Sequence, residues 1–254
     1  MDDQFDEGSS EPRVPSPEPP LFAARIVALI EVILCSDYPT QIALGATMNA
    51  AGFSPIKTNG ELSLGYVVTL SLVDTALLIG LIVLFLRSHG ERLRDVFIGP
   101  RPIAGEARLG AMLTFVALAI GIAVLATIQV FAPSLHNVAH NPLQDLIRGP
   151  RNAGLFALVV IIAGGVREEI QRAFVLHRFN VWLGGGTVGI IVGSIAFGAG
   201  HLQVQGYDAA IATGLLGLFW GIVYLRRRSV IAPMVSHSGF NLIELLQYLA
   251  FAAR

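Results

Sequence analysis

The sequence is short of charge and nearly without cysteine. Of its 254 residues, 14% are charged and 54% are hydrophobic. A soluble globular domain carries about 25% charged residues, so the chain lacks the polar surface that a water-soluble fold of this size needs. Its single cysteine, Cys35, excludes an intrachain disulfide and any cysteine-cluster metal site. An excess of positive charge is also missing. The net charge is −1 and the pI about 6.6, which argues against nucleic acid as a partner. The chain does not open with a basic start and an apolar run, so its first residues are not a signal peptide. No repeat of fixed period is visible. Composition further excludes a disordered chain, a coiled coil, a collagen and a disulfide scaffold. With a mean hydropathy of +0.65, what remains is an all-α, polytopic transmembrane helical bundle.

Residues 1–20 hold five prolines and six acids against one Arg13. They are expected to form a disordered tail, because they cannot bury enough apolar surface to fold. Residues 21–254 read as a single transmembrane helical domain. About seven spans (six to eight) are expected, near 21–48, 65–86, 110–132, 153–177, 184–203, 209–225 and 229–252, from the roughly 20 apolar residues a bilayer core requires. The first is interrupted by Glu31 and Asp37, and Pro39 should kink it. Basic clusters after span two (Arg87 to Arg108), after span four (His177, Arg178) and after span six (Arg226 to Arg228) fall on one side if the spans alternate. The positive-inside rule makes that side the cytoplasm, with the N-terminus inside. The stretch Glu91 to Ile98 is expected to be an amphipathic surface helix.

Charges inside spans are costly and tend to be functional. Glu31, Asp37 and Asp74 are such acids in the N-terminal half; helix–helix hydrogen bonding is their plain structural reading. The fourth span is denser, with Arg167, Glu168, Glu169 and Arg172 within six residues. Arg172 is four residues from Glu168 and three from Glu169, so it can pair with either. One arginine cannot fully neutralise two buried acids, and a crowded carboxylate is a candidate general base. Phe197 and His201 follow in span five, and His237 and Asn241 share a face of span seven. Helix rise places Glu168 and His237 at similar depths, roughly 15 and 13 Å above their basic ends. It places His201 roughly 20 Å or more deep.

An acid, two imidazoles and an amide suit water activation with oxyanion stabilisation, without a covalent intermediate. The H-E-x-x-H zinc pattern and the G-x-S-x-G nucleophile elbow are both absent. No cofactor is favoured. If a divalent metal such as zinc is present, His201, His237 and Glu168 are its candidate ligands.

The order Glu168-Glu169…Arg172, then Phe197-x-x-x-His201, then His237-x-x-x-Asn241 resembles the CAAX-protease and bacteriocin-processing family of intramembrane endopeptidases. The resemblance covers residues 150–252. It implies a membrane cavity open to the cytoplasmic side, in which the first glutamate and the F-x-x-x-H histidine activate water. It implies that the last histidine and the asparagine form the oxyanion site, and that the substrate is a membrane-associated, in some members lipidated, protein or peptide. Membrane lipid is the other expected partner. The family spacing is E-E-x-x-x-R, and this chain is one residue short. Aligning the glutamates puts Ala173 at the arginine position, whereas aligning the arginine puts Arg167 on the first glutamate. Both choices keep Glu168 in the site, and both leave the role of Glu169 open. A transporter, or a non-enzymatic immunity or scaffold protein of the same fold, is the alternative. A bacterial inner membrane is the expected location.

Overall fold

A computed structural model describes residues 21–138 and 142–252. The tail at 1–20 lies outside the described residues. The described residues form helices and short connections, with one isolated bridge between Ile56 and Leu62 and no strand. In order they are α1 (Leu21–Leu34), α2 (Tyr38–Ala50), α3 (Leu64–Ser88), α4 (Leu93–Phe97) and α5 (Ile103–Phe131). Two 3₁₀ turns, Pro133–Leu135 and Pro142–Ile147, precede α6 (Pro150–Val159). A π-helical segment, Val160–Arg167, leads without a break into α7 (Glu168–Trp182). Then come α8 (Gly186–Arg227) and α9 (Ile231–Ala252). Three of these, α3, α5 and α8, are long and apolar enough to cross a membrane, and the protein is an integral membrane protein.

The first expected span is split. Asp37 has φ 78°, a left-handed conformation that ends α1, and Pro39 sits in the first turn of α2, where its missing N–H costs nothing. α1 runs antiparallel to α7: Glu31 meets Arg178, and the Cys35 carbonyl accepts from Gln171. The expected spans 184–203 and 209–225 are one helical element interrupted at Gly206, whose φ of 90° and ψ of −179° no α-helix contains. The halves, 186–205 and 207–227, fold back on each other. A Cβ on Gly198 would lie 2.6 Å from the Ala210 carbonyl oxygen, so only glycine allows this approach.

The stretch Glu91–Ile98 holds a helix of only five residues, α4, with Arg92, Arg94 and Asp95 exposed and Val96 turned into the bundle. Val96 is buried beside Leu78, Ile82 and Phe174. The Val96 carbonyl accepts from the Tyr224 hydroxyl, and the Phe97 carbonyl accepts from the Val230 N–H. These bonds tie the 88–102 connection to the 228–230 turn. Glu91 reaches His177 and Arg178 at 2.8 and 2.6 Å. The three basic clusters therefore lie at one end of the bundle.

α9 is held on two sides by small residues. Towards α5, a Cβ on Gly110 would lie 2.6 Å from the Ala232 carbonyl oxygen, and one on Gly239 would lie 2.7 Å from Thr114 Oγ1. Towards the π segment, Gly164 faces Asn241 and Gly165 faces Ser238. These contacts bring two of the three motif-bearing helices, α7 and α9, together.

Candidate active site

A cavity of about 380 Å³ lies between the α1–α2 junction, α7 and the first half of α8. Its polar lining includes Asp37, Arg167, Glu168, Arg172 and His201, and the remainder is mostly apolar. Phe197 also lines it. Glu168 and His201, which helix rise placed at different depths, thus face one space. Their elements explain this: α7 carries Glu168 on the turn that follows the π segment, and the α8 hairpin lays Phe197 and His201 against α7.

Glu168 sits between two nitrogen-bearing groups. Its Oε1 is 3.5 Å from Arg167 Nη2, and its Oε2 is 3.8 Å from His237 Nε2. Glu169 turns away from the cavity and is buried. It pairs with Arg172, and the same carboxylate oxygen accepts from His237 Nδ1 at 2.8 Å. Of the two pairings open to Arg172, the structure forms the one with Glu169. The Arg172 guanidinium also stacks over the Phe197 ring at 4.7 Å, a cation–π contact that gives Phe197 its place.

His201 Nδ1 lies 2.8 Å from the Phe197 carbonyl oxygen. The carbonyl can only accept, so Nδ1 carries the hydrogen, and a neutral ring then has Nε2 as an acceptor. His237 is buried and stacked on Trp220, with ring centroids 3.8 Å apart and planes 18° apart. Asn241 Nδ2 donates to the Val160 carbonyl at 3.1 Å. Neither His237 nor Asn241 is part of the cavity lining. The motif residues thus divide: Glu168, Arg172, Phe197 and His201 border the cavity, while Glu169, His237 and Asn241 stand behind it.

Three features of the site were not foreseen. Trp220 is the platform under His237, and its indole N–H donates to Ser236 Oγ at 3.1 Å. Arg167 is buried and ion-paired with Asp37, and it lies 3.5 Å from Asp74. The π segment sets the face on which Glu168 emerges, since each π turn holds an extra residue. Only the Trp220 spacing, 17 residues before His237 across a tight turn, carried a trace in the sequence. The acids of the N-terminal half find arginines: Asp37 and Asp74 at Arg167, Glu31 at Arg178. Among the described residues, no three His, Cys, Asp or Glu side chains are grouped so as to hold a metal ion. The set His201, His237 and Glu168 does not converge.

The family model for type II CAAX prenyl endopeptidases, Rce1-like, matches residues 150–243, from the start of α6 into α9. The resemblance read from the three motifs holds over that segment. No curated protein and no solved structure matches the chain.

Proposed function

We propose that this chain, a CAAX-protease-type membrane protein over residues 150–243, is an intramembrane endopeptidase whose general base is Glu168. The observation that carries the reading is the shared cavity: an acid, Glu168, and a histidine with a free Nε2, His201, face one apolar space inside a membrane bundle. A water held by His201 Nε2 gives a proton to Glu168 as its oxygen attacks the scissile carbonyl carbon. The carbonyl oxygen becomes an oxyanion, and the Arg172 guanidinium in the cavity wall stabilises it. Collapse of the tetrahedral intermediate breaks the C–N bond. Glu168 returns its proton to the leaving amine, so the carboxylate is regenerated and one water is consumed. His237 supports the reaction from behind, orienting Glu168 and Glu169. Asn241 holds α9 to the π segment through Val160.

The substrate is a protein or peptide presented at the membrane, lipidated in the CAAX-like case. The apolar lining supports this, and the position of the basic clusters supports an N-terminus in the cytoplasm. The test is cleavage of a quenched-fluorescent peptide library by detergent-purified protein, with and without a chelator. Glu168→Gln should lower kcat by about 1,000-fold or more, since it removes the base, and the chelator should change nothing. Wild-type rates in Glu168→Gln would overturn the reading, and loss of activity with chelator would move the histidines to a metal.

A further inference from the structure

Arg167 stands outside the three motifs, yet it is among the most completely surrounded charges in the protein. Its residue is 6% exposed. Its Nε donates to the Ala163 carbonyl at 3.3 Å, its Nη1 pairs with Asp37 and approaches Asp74 at 3.5 Å, and its Nη2 approaches Glu168 Oε1 at 3.5 Å. Three separate pieces of chain therefore converge on one guanidinium: the α1–α2 junction, α3 and the start of α7. Burying so many charges is costly unless each is compensated. Asp37 bears a further cost, because it keeps φ 78° in order to break the helix where its carboxylate meets Arg167.

We propose that Arg167 is a positioning residue of the reaction. Asp37 and Asp74 fix its guanidinium, and that guanidinium fixes the Glu168 carboxylate towards the cavity. Arg167 holds one oxygen of Glu168 while His237 stands at the other, so the carboxylate plane is defined from both sides. The two aspartates also share the arginine's charge. Glu168 is steadied without being fully neutralised, as a base must be. The inference rests on the endopeptidase reading for its functional meaning, but the electrostatic arrangement is measurable without any substrate.

The charged and titratable groups around Glu168 are Arg167, Glu169 and Arg172 on its own run of helix and His237 from α9; Asp37 and Asp74 reach it through Arg167, and His201 from α8 shares its cavity. Arg167→Gln removes a cation beside Glu168, so the carboxyl should hold its proton to higher pH. Asp74→Asn removes one of the two acids that share Arg167, leaving Asp37 and Glu168, so the Glu168 proton should be lost at lower pH. The two shifts read the charges beside Glu168; the fall in kcat at nearly unchanged KM, with its partial recovery in Arg167→Lys, reads the positioning.

The experiment is an infrared pH titration of the protonated-carboxyl band, assigned to Glu168 by its loss in Glu168→Gln. It is run on full-length wild type, Arg167→Gln, Arg167→Lys, Asp37→Asn and Asp74→Asn, together with kcat and KM on a cleaved peptide. Expected are midpoints moved up by about one pH unit or more in Arg167→Gln and down in Asp74→Asn. In Arg167→Gln, kcat should fall by up to about 100-fold with KM nearly unchanged, and Arg167→Lys should recover part of it. Asparagine tolerates a positive φ, so Asp37→Asn keeps the helix break and tests only the charge; its midpoint should move as that of Asp74→Asn does. Unmoved midpoints, or midpoints moving in the same direction in Arg167→Gln and Asp74→Asn, would overturn the proposal. Failure of the wild type to cleave any peptide would count against the endopeptidase reading alone.

Discussion

Glu168 and Glu169 differ by one position on α7 and so by about 100° around its axis. That rotation gives them different neighbours and different tasks. Glu169 is 1% exposed and is the ion-pair partner of Arg172, whereas Glu168 borders the cavity and is backed by Arg167. Neutralising Glu169 takes the carboxylate partner from the part-buried Arg172, and breaking a buried pair from one side costs up to roughly 3–5 kcal/mol. Neutralising Glu168 leaves Arg167 with Asp37 and Asp74. Glu169→Gln should therefore lower the melting temperature in detergent by several degrees, while Glu168→Gln should melt close to wild type and lose activity. Equal melting temperatures for the two variants would refute this division. The shortened motif, one residue closer between glutamate and arginine than the family spacing, has a simple geometric outcome: the arginine reaches the second glutamate across three residues.

At the scale of elements, the π segment and α9 form the most closely fitted contact in the site. Gly165 packs directly on Ser238, so a side chain there would have to displace the α9 backbone: even the Cβ of alanine would lie 2.9 Å from Ser238 Cα. Overpacking of this kind costs about 1–3 kcal/mol and pushes helices apart. Gly165→Val should lower the melting temperature and reduce kcat, because it separates Glu169 from His237. Gly80, which has open space around it, is the control: Gly80→Ala should change neither. A Gly165→Val protein as stable and active as Gly80→Ala would show that the contact is not needed. Much of this level was legible beforehand. Apolar run lengths located the helices, and Asp37 and Pro39 marked the first break. The π segment was not legible, because an extra residue per turn leaves composition and hydrophobic spacing almost unaltered. Nor was the partner of Asn241: the Val160 carbonyl it binds belongs to that unforeseen segment. The partners of Arg167 depended on which helices pack together, which local spacing does not encode.

Across the whole molecule, one end of the bundle is closed by a network that joins α1, the α3–α4 connection and α7. Glu91 is its hub, with His177 Nε2 at 2.8 Å and Arg178 Nη1 at 2.6 Å, and Arg178 passes on to Glu31, which meets His89 at 2.6 Å. Burial alone would raise the Glu91 carboxyl. The hydrogen bonds from His177 and Arg178, with the Arg178 charge, outweigh it and hold the carboxyl below its ordinary value of 4.5. A carboxyl depressed in the folded state binds protons less tightly there than in the unfolded chain. Its contribution to stability is therefore complete above the unfolded value and is lost as pH falls through the folded one. The α3–α4 connection should loosen as Glu91 takes up its proton. Melting temperatures of wild type and Glu91→Gln should differ at pH 6–7 and converge as the pH is brought below about 4.5. A gap that stayed constant down to pH 3 would mean that Glu91 acts by shape rather than by charge. The same network fixes α7 at its far end, ten residues from Glu168, so the neutral-pH variant should also show a modest fall in kcat. That loss should be largest for substrates that reach the cavity from the end where Glu91 lies.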